Sequence, residues 1–145
     1  MNSLFKKILS AFLILSVLFG FLYFAVCKIT DTLYPLKYEE IVERHTADYE
    51  VSESFVFAVI KCESGFDELA VSSAGAKGLM QLMPETLDWL SRLLGEDKPS
   101  GDITDPETNI KYGVYYLRHL YDRFGDWDTA LAAYNAGHGR VATWL

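Results

Sequence analysis

Glu63 closes an apolar run, Phe55-Val56-Phe57-Ala58-Val59-Ile60-Lys61-Cys62-Glu63, and that placement is the first chemical signal in the chain. As a helix, the run puts Val56, Val59 and Ile60 on one face, and Glu63 falls on the same face. A carboxylate on an apolar stripe loses hydration, so it finds a partner, raises its pKa or borders a cleft. No Lys or Arg stands at helical spacing on that face, and Lys61 points elsewhere. A raised pKa is therefore expected, which is what a general acid needs. The competing reading is a solvated helix-terminal Glu beside Gly65.

Other reactive side chains are sparse. Asp67 and Glu68 follow on a polar turn, where solvated surface acids are the default. Cys27 and Cys62 make no disulfide framework, and Cys62 is expected buried as a small hydrophobe. His45 is read as a packing or surface residue. No Cys-x-x-Cys or His-rich spacing suggests a metal, and no cofactor is expected.

The elements that must position Glu63 read as helices. Tyr38, Ile41, Val42 and His45 recur at helical spacing among acids. Ser52 is a plausible N-cap for a helix from Glu53 to about Ser64. A small, polar loop follows to Lys77. Pro84 suits a first turn, so a helix carrying Leu87, Leu90 and Leu94 begins there and stops at Gly95. The preceding Gly78-Leu79-Met80-Gln81-Leu82-Met83 must then be irregular or extended, with Gln81 its polar side chain. Asp105 as cap, Pro106 at the first position and Glu107 in the first turn open the longest helix. Its core stripe is Ile110, Val114, Leu117, Tyr121 and Phe124, and Gly125 ends it. A last helix of small residues follows Asp126-Trp127-Asp128. The pattern is all-α, with one short extended element at most.

Ahead of these helices, Ile8 to Val26 is almost wholly apolar, with Lys6 and Lys7 before it and Lys28 after it. Nineteen residues span about 28 Å, enough for a bilayer core. The residues before Cys27 make a poor cleavage site, so an uncleaved anchor is expected. The expected division is a cytoplasmic stretch 1–7, a transmembrane anchor 8–27, a linker 28–35 and a domain 36–145. The flanking lysines orient the N-terminus toward the cytoplasm and the domain outside it. Beyond the anchor, 11 basic residues face 20 acidic ones, a formal charge of −9. Such a surface disfavours nucleic acid and anionic lipid as partners.

Glu63-Ser64, then Gly78-Leu79-Met80-Gln81-Leu82-Met83-Pro84, then Asp105-Pro106-Glu107-Thr108-Asn109-Ile110, then Ala133-Tyr134-Asn135-Ala136-Gly137 follow one another in a set order and spacing. Together they resemble the catalytic domain of the soluble lytic transglycosylase family over about Leu36 to Leu145. The resemblance implies a goose-lysozyme-like helical fold. It also implies cleavage between N-acetylmuramic acid and N-acetylglucosamine in peptidoglycan, leaving 1,6-anhydro ends. It assigns Glu63 as sole catalytic acid and base and Ser64 as its support. Met80, Gln81, Tyr134 and Asn135 would line the sugar groove. Without the resemblance, Tyr134 and Asn135 read as packing and helix-end residues. Members of the family continue past the equivalent of Trp144 with a further helix, so the C-terminal part is expected to be short or truncated. The alternatives are a hydrolytic muramidase and a catalytically silent wall-binding protein that keeps the fold.

Overall fold

The computed structural model describes residues 3–33 and 36–136. The chain divides into two units, Met1–Leu36 and Lys37–Leu145.

The first unit is one helix, α1 (Ser3–Leu33). Within it, Lys7–Thr30 is long and apolar enough to cross a membrane by length and composition: 24 residues of mean hydropathy 2.4. The hydroxyls of Ser16 and Thr30 donate to the carbonyls of Leu13 and Val26 at 2.8 and 2.6 Å. Such back-bonding satisfies a polar side chain without water. Residues 28–33, expected as linker, instead continue the helix, since no Gly or Pro interrupts them. Pro35 lies outside the described residues.

The second unit is all-helical, as expected. After a 3-10 turn, Leu36–Tyr38, come α2 (Glu39–Tyr49), α3 (Glu53–Glu63), α4 (Pro84–Leu93), α5 (Pro106–Phe124) and α6 (Trp127–Ala136). The punctuation follows local chemistry. Asp105 accepts from the Thr108 backbone N–H at 2.9 Å and its hydroxyl at 2.8 Å. Pro106 occupies the first turn, and Gly125 turns left-handed to end α5 at φ 71°. Ser52 stands at the N-cap of α3, but its hydroxyl meets that of Ser54 rather than the helix N–H groups.

α5 is the axis of the domain because it is apolar on two flanks. Ile110, Val114 and Leu117 pack with Val42 of α2 and with Val56, Val59 and Ile60 of α3. Tyr112, Tyr116 and Leu120 pack with Leu87 and Leu90 of α4 and with Ala130 and Ala133 of α6. The single stripe read from sequence is thus half of the buried surface, and Tyr121 and Phe124 lie at its edge. His45 is a packing residue: buried on α2, it sits with Nε2 2.8 Å from the Glu107 carboxylate at the start of α5. Arg44 bonds the same oxygen at 2.8 Å.

Candidate active site

α3 is apolar almost all the way round because two of its faces have different tasks. Val56, Val59 and Ile60 face the core, whereas Phe55, Ala58, Val59, Cys62 and Glu63 line an open cleft of about 330 Å³ with Leu131 and Asn135 of α6. A helix that is apolar on both faces fits one side against core and the other against a ligand groove. Cys62 is therefore exposed, not buried as expected of a small hydrophobe in an apolar helix. The last turn of α3 presents that position to the cleft.

Glu63 is half-buried, and loss of hydration pushes its carboxyl above the usual range. Ser64 ends the helix. Its hydroxyl donates to the Ile60 carbonyl and accepts from the Phe66 N–H, both at 3.2 Å. It braces a reversal in which Gly65 and Phe66 both take positive φ, 61° and 71°. Ser64 thus holds the end of the helix that carries Glu63.

The opposite bank is built from the apolar heptapeptide, which is a tight hairpin rather than a helix. Lys77 and Leu82 exchange backbone hydrogen bonds at 2.9 and 3.0 Å, and Lys77 also bridges Val71. Gly78 and Gln81 take positive φ, 77° and 49°. The second is strained for a non-glycine residue, and the Gln81 side chain offsets it by donating to the carbonyls of Ala70 at 3.1 Å and Gly78 at 2.9 Å. The amide that sequence reading places in the groove also staples the loop.

Asn109 locks this hairpin onto α5. Fully buried, it accepts from the Met80 N–H at 2.7 Å and donates to the carbonyls of Lys77 and Ile103 at 3.0 and 2.6 Å. A Cβ on Gly78 would run into Asn109 and the Ile103 carbonyl, and a Cβ on Gly113 would run into the Met80 sulfur. Two glycines thus admit the hairpin and the Met80 side chain. Met80 is fully buried and lines neither cleft, so its thioether is not on a groove wall as a groove-lining role would suggest; its carbonyl instead receives the Tyr134 hydroxyl.

From α6, the Tyr134 hydroxyl donates to the Met80 carbonyl at 2.6 Å, and its ring packs on Tyr116 with centroids 5.1 Å apart. Burial, then the negative charge of Glu63, hold the phenol well above its usual pKa. The Tyr134 hydroxyl therefore stays protonated. Asn135 is exposed, with its amide on the Leu131 carbonyl at 3.1 Å. It lines the Glu63 cleft and also a neighbouring one of about 380 Å³ that includes Gln81, Tyr116 and Tyr134. The structure thus brings Glu63 and Asn135 to one cleft and Gln81, Tyr134 and Asn135 to a neighbouring one, with Ser64 and Met80 behind them. Asn109, which holds the hairpin, was visible in the sequence only as part of a helix-opening motif.

Among the described residues that line these two clefts, Glu63 is the only acid. Glu68 is engaged elsewhere, accepting from Lys37 at 2.8 Å and Tyr38 at 2.7 Å. Those bonds, with Lys37 foremost, lower its pKa. It is a tethered ion-pair partner, not the freely solvated acid its turn suggests. Asp67 is exposed and accepts from the Leu69 N–H at 2.9 Å. No group of three or more potential metal ligands occurs among the described residues.

The sequence and the helical fold both have relatives among known proteins. The family described as the Transglycosylase SLT domain matches residues 40–145. The soluble lytic murein transglycosylase of Escherichia coli K12 is 40% identical over 116 residues, 77% of this chain and 18% of that protein. The membrane-bound lytic murein transglycosylase F of Desulfosudis oleivorans is 39% identical over 110 residues, 71% of this chain and 22% of that protein. A solved inactive glutamate-to-glutamine mutant of lytic transglycosylase Slt from Pseudomonas aeruginosa superposes with a TM-score of 0.72 at 37% identity. That superposition covers 80% of this chain and 19% of the other. The chain belongs to the SLT transglycosylase family, and it spans about a fifth of the length of these relatives.

Proposed function

We propose that this chain is a membrane-anchored peptidoglycan lytic transglycosylase that cleaves the β-1,4 bond between N-acetylmuramic acid and N-acetylglucosamine without water. The observation that carries the reading is that Glu63, half-buried, is the single acid lining the two clefts that share Asn135. Most hydrolytic glycosidases use a second carboxylate about 5–9.5 Å away as nucleophile or to activate water, and the described lining residues offer none. With one carboxylate, the nucleophile comes from the substrate. Protonated Glu63 donates to the glycosidic oxygen, and the bond from muramyl C1 breaks with its electron pair going to that oxygen. The muramyl C6 hydroxyl forms the new bond to C1 and releases its proton to the Glu63 carboxylate, which closes a 1,6-anhydro ring and restores the acid. A carboxyl pKa raised by desolvation suits the first half of that cycle.

In this reading Gln81, Tyr134 and Asn135 hold the sugar, Ser64 fixes the helix end beneath Glu63, and the Met80 carbonyl positions the Tyr134 hydroxyl. α1 anchors the chain in the cell membrane. The lysines before it place the N-terminus in the cytoplasm and the domain on the wall side. The partners are glycan strands and lipid, and no cofactor is invoked.

Digestion of purified peptidoglycan by the full chain, followed by mass spectrometry, tests the reaction. Anhydro-muramyl ends are expected, and they vanish with Glu63→Gln. Reducing muramyl ends without anhydro ends would make the protein a hydrolytic muramidase. Binding without turnover would make it a wall-binding protein.

A further inference from the structure

We propose that the pocket between the α2–α3 turn and the start of α6 is a remote sugar subsite, which takes an N-acetylhexosamine of the same glycan strand that Glu63 cuts. The inference rests on the glycan-cleaving reading above. Glu50, Ser52, Phe55 and Trp127 line this pocket of about 390 Å³, and none of them belongs to the four motifs that carry the family resemblance. Phe55 also lines the Glu63 cleft. The two cavities therefore share a side chain, just as the Glu63 cleft shares Asn135 with its other neighbour. In order along α6, the three cavities take in Ala136, Leu131 and Trp127.

The helices set the length of this path. Phe55 packs on Trp127 with ring centroids 4.9 Å apart, and eight positions further on each helix Glu63 and Asn135 line one cleft. α3 and α6 therefore run side by side in one direction, which puts the pocket about 12 Å from Glu63 along them. A single sugar does not bridge that distance, but a strand does.

The lining suits a neutral ring that carries hydroxyls. Trp127 stacks on Tyr121 with centroids 4.4 Å apart, and Phe55 tilts against it at 60°. Both rings are half-buried and held by these neighbours, so a ligand has little ordering to do. Their electron-rich faces attract the C–H face of a pyranose. Glu50 supplies acceptor oxygens, and the Ser52 hydroxyl can donate or accept. The fold leaves both available. The Ser52 hydroxyl meets Ser54 instead of capping α3. Glu50 has an 85% exposed side chain and holds a left-handed φ of 54°, where Gly or Asn is less costly, so the backbone does not call for Glu. Arg118 stands 3.8 Å from the Glu50 carboxylate but makes its closer bond, 2.8 Å, to Asp122. That cation repels a second ammonium group while leaving Glu50 able to accept from hydroxyls. A sugar therefore fits the pocket better than a basic side chain of a stem peptide.

The test compares peptide-free glycan strands of four and of eight sugars on the full chain in detergent. Calorimetry on the Glu63→Gln chain reads binding without turnover. The longer strand is expected to bind several-fold tighter, and Glu50→Gln/Ser52→Ala in the same background should remove most of that gain. Both substituted residues are exposed, and circular dichroism checks that the fold is kept. With Glu63 in place, kcat/KM for release of anhydro ends should show the same gain with length and the same loss. Equal affinity for the two strands, or a gain that survives the double substitution in a folded chain, would overturn the proposal. So would a gain that appears only when the strands carry stem peptides, which would make the pocket a peptide site. Reducing ends, or no turnover, would strike the reaction proposed above, and the calorimetry would still decide the subsite.

Discussion

Asn109→Ala removes one side chain that joins three separate segments, so its cost can be worked from the contacts. Three buried hydrogen bonds disappear, to Met80, Lys77 and Ile103, at a net ~1 kcal/mol each. The losses are unequal. The Lys77 carbonyl still accepts from the Leu82 N–H, whereas the buried Met80 N–H loses the side chain that satisfied it, which costs ~1–3 kcal/mol on its own. A total of about 3–5 kcal/mol is expected, a large share of the 5–15 kcal/mol that holds a typical domain. Asn109→Asp sharpens the test. It keeps an acceptor for Met80 but turns an oxygen toward two carbonyls. It should therefore cost at least as much at neutral pH and recover partly on acidification, when the protonated carboxyl donates to one of them. Urea unfolding of the full chain in detergent, at neutral and acidic pH, measures both. A loss below about 1 kcal/mol for Asn109→Ala, or an Asn109→Asp chain as stable as the parent, would refute the idea that this side chain holds the hairpin.

Glu63→Gln should cut turnover by at least 10²- to 10⁴-fold while leaving the fold intact, as read by circular dichroism alongside product analysis. Its effect on stability has a definite sign. A carboxyl whose folded pKa is raised penalises the fold above that pKa, and the penalty fades as pH falls through the folded pKa toward the unfolded value. Melts of parent and Glu63→Gln should thus differ most near neutral pH, with the variant the more stable, and converge on acidification. Gly78→Ala places a side chain at φ 77° against Asn109 and the Ile103 carbonyl, so a loss of about 2 kcal/mol or more is expected in thermal melts. Tyr134→Phe deletes the hydroxyl on the Met80 carbonyl and should lower stability by ~1 kcal/mol, with a fall in turnover smaller than that of Glu63→Gln.

Local chemistry made much of this legible. The caps of α5, the start of α4 at Pro84 and the irregular hairpin before it follow from Asp, Pro and Gly at their positions, and local rules do not depend on what packs where. Cys62 misleads because periodicity reports that a face is apolar without saying whether core or cleft lies opposite. Glu68 misleads because its partners, Lys37 and Tyr38, lie 31 and 30 positions away. Met80 was placed in the groove through the family resemblance, and only the packing at Gly113 puts its thioether inside. Asn109 resembles any polar residue in a first helical turn until the hairpin is laid against it. Two of its three partners stand 29 and 32 positions back in the chain.

The bond between His45 and Glu107 spans 62 positions, and the same distance separates the two halves of the core that α2 and α5 share. At roughly 5–20 residues per second of synthesis, α5 follows α2 by about 3–12 seconds. During that interval Val42, Val56 and Ile60, which end up fully covered, have no α5 to cover them. The newborn domain thus passes through a stage in which half of its core is still uncovered, and the arrival of α5 ends it.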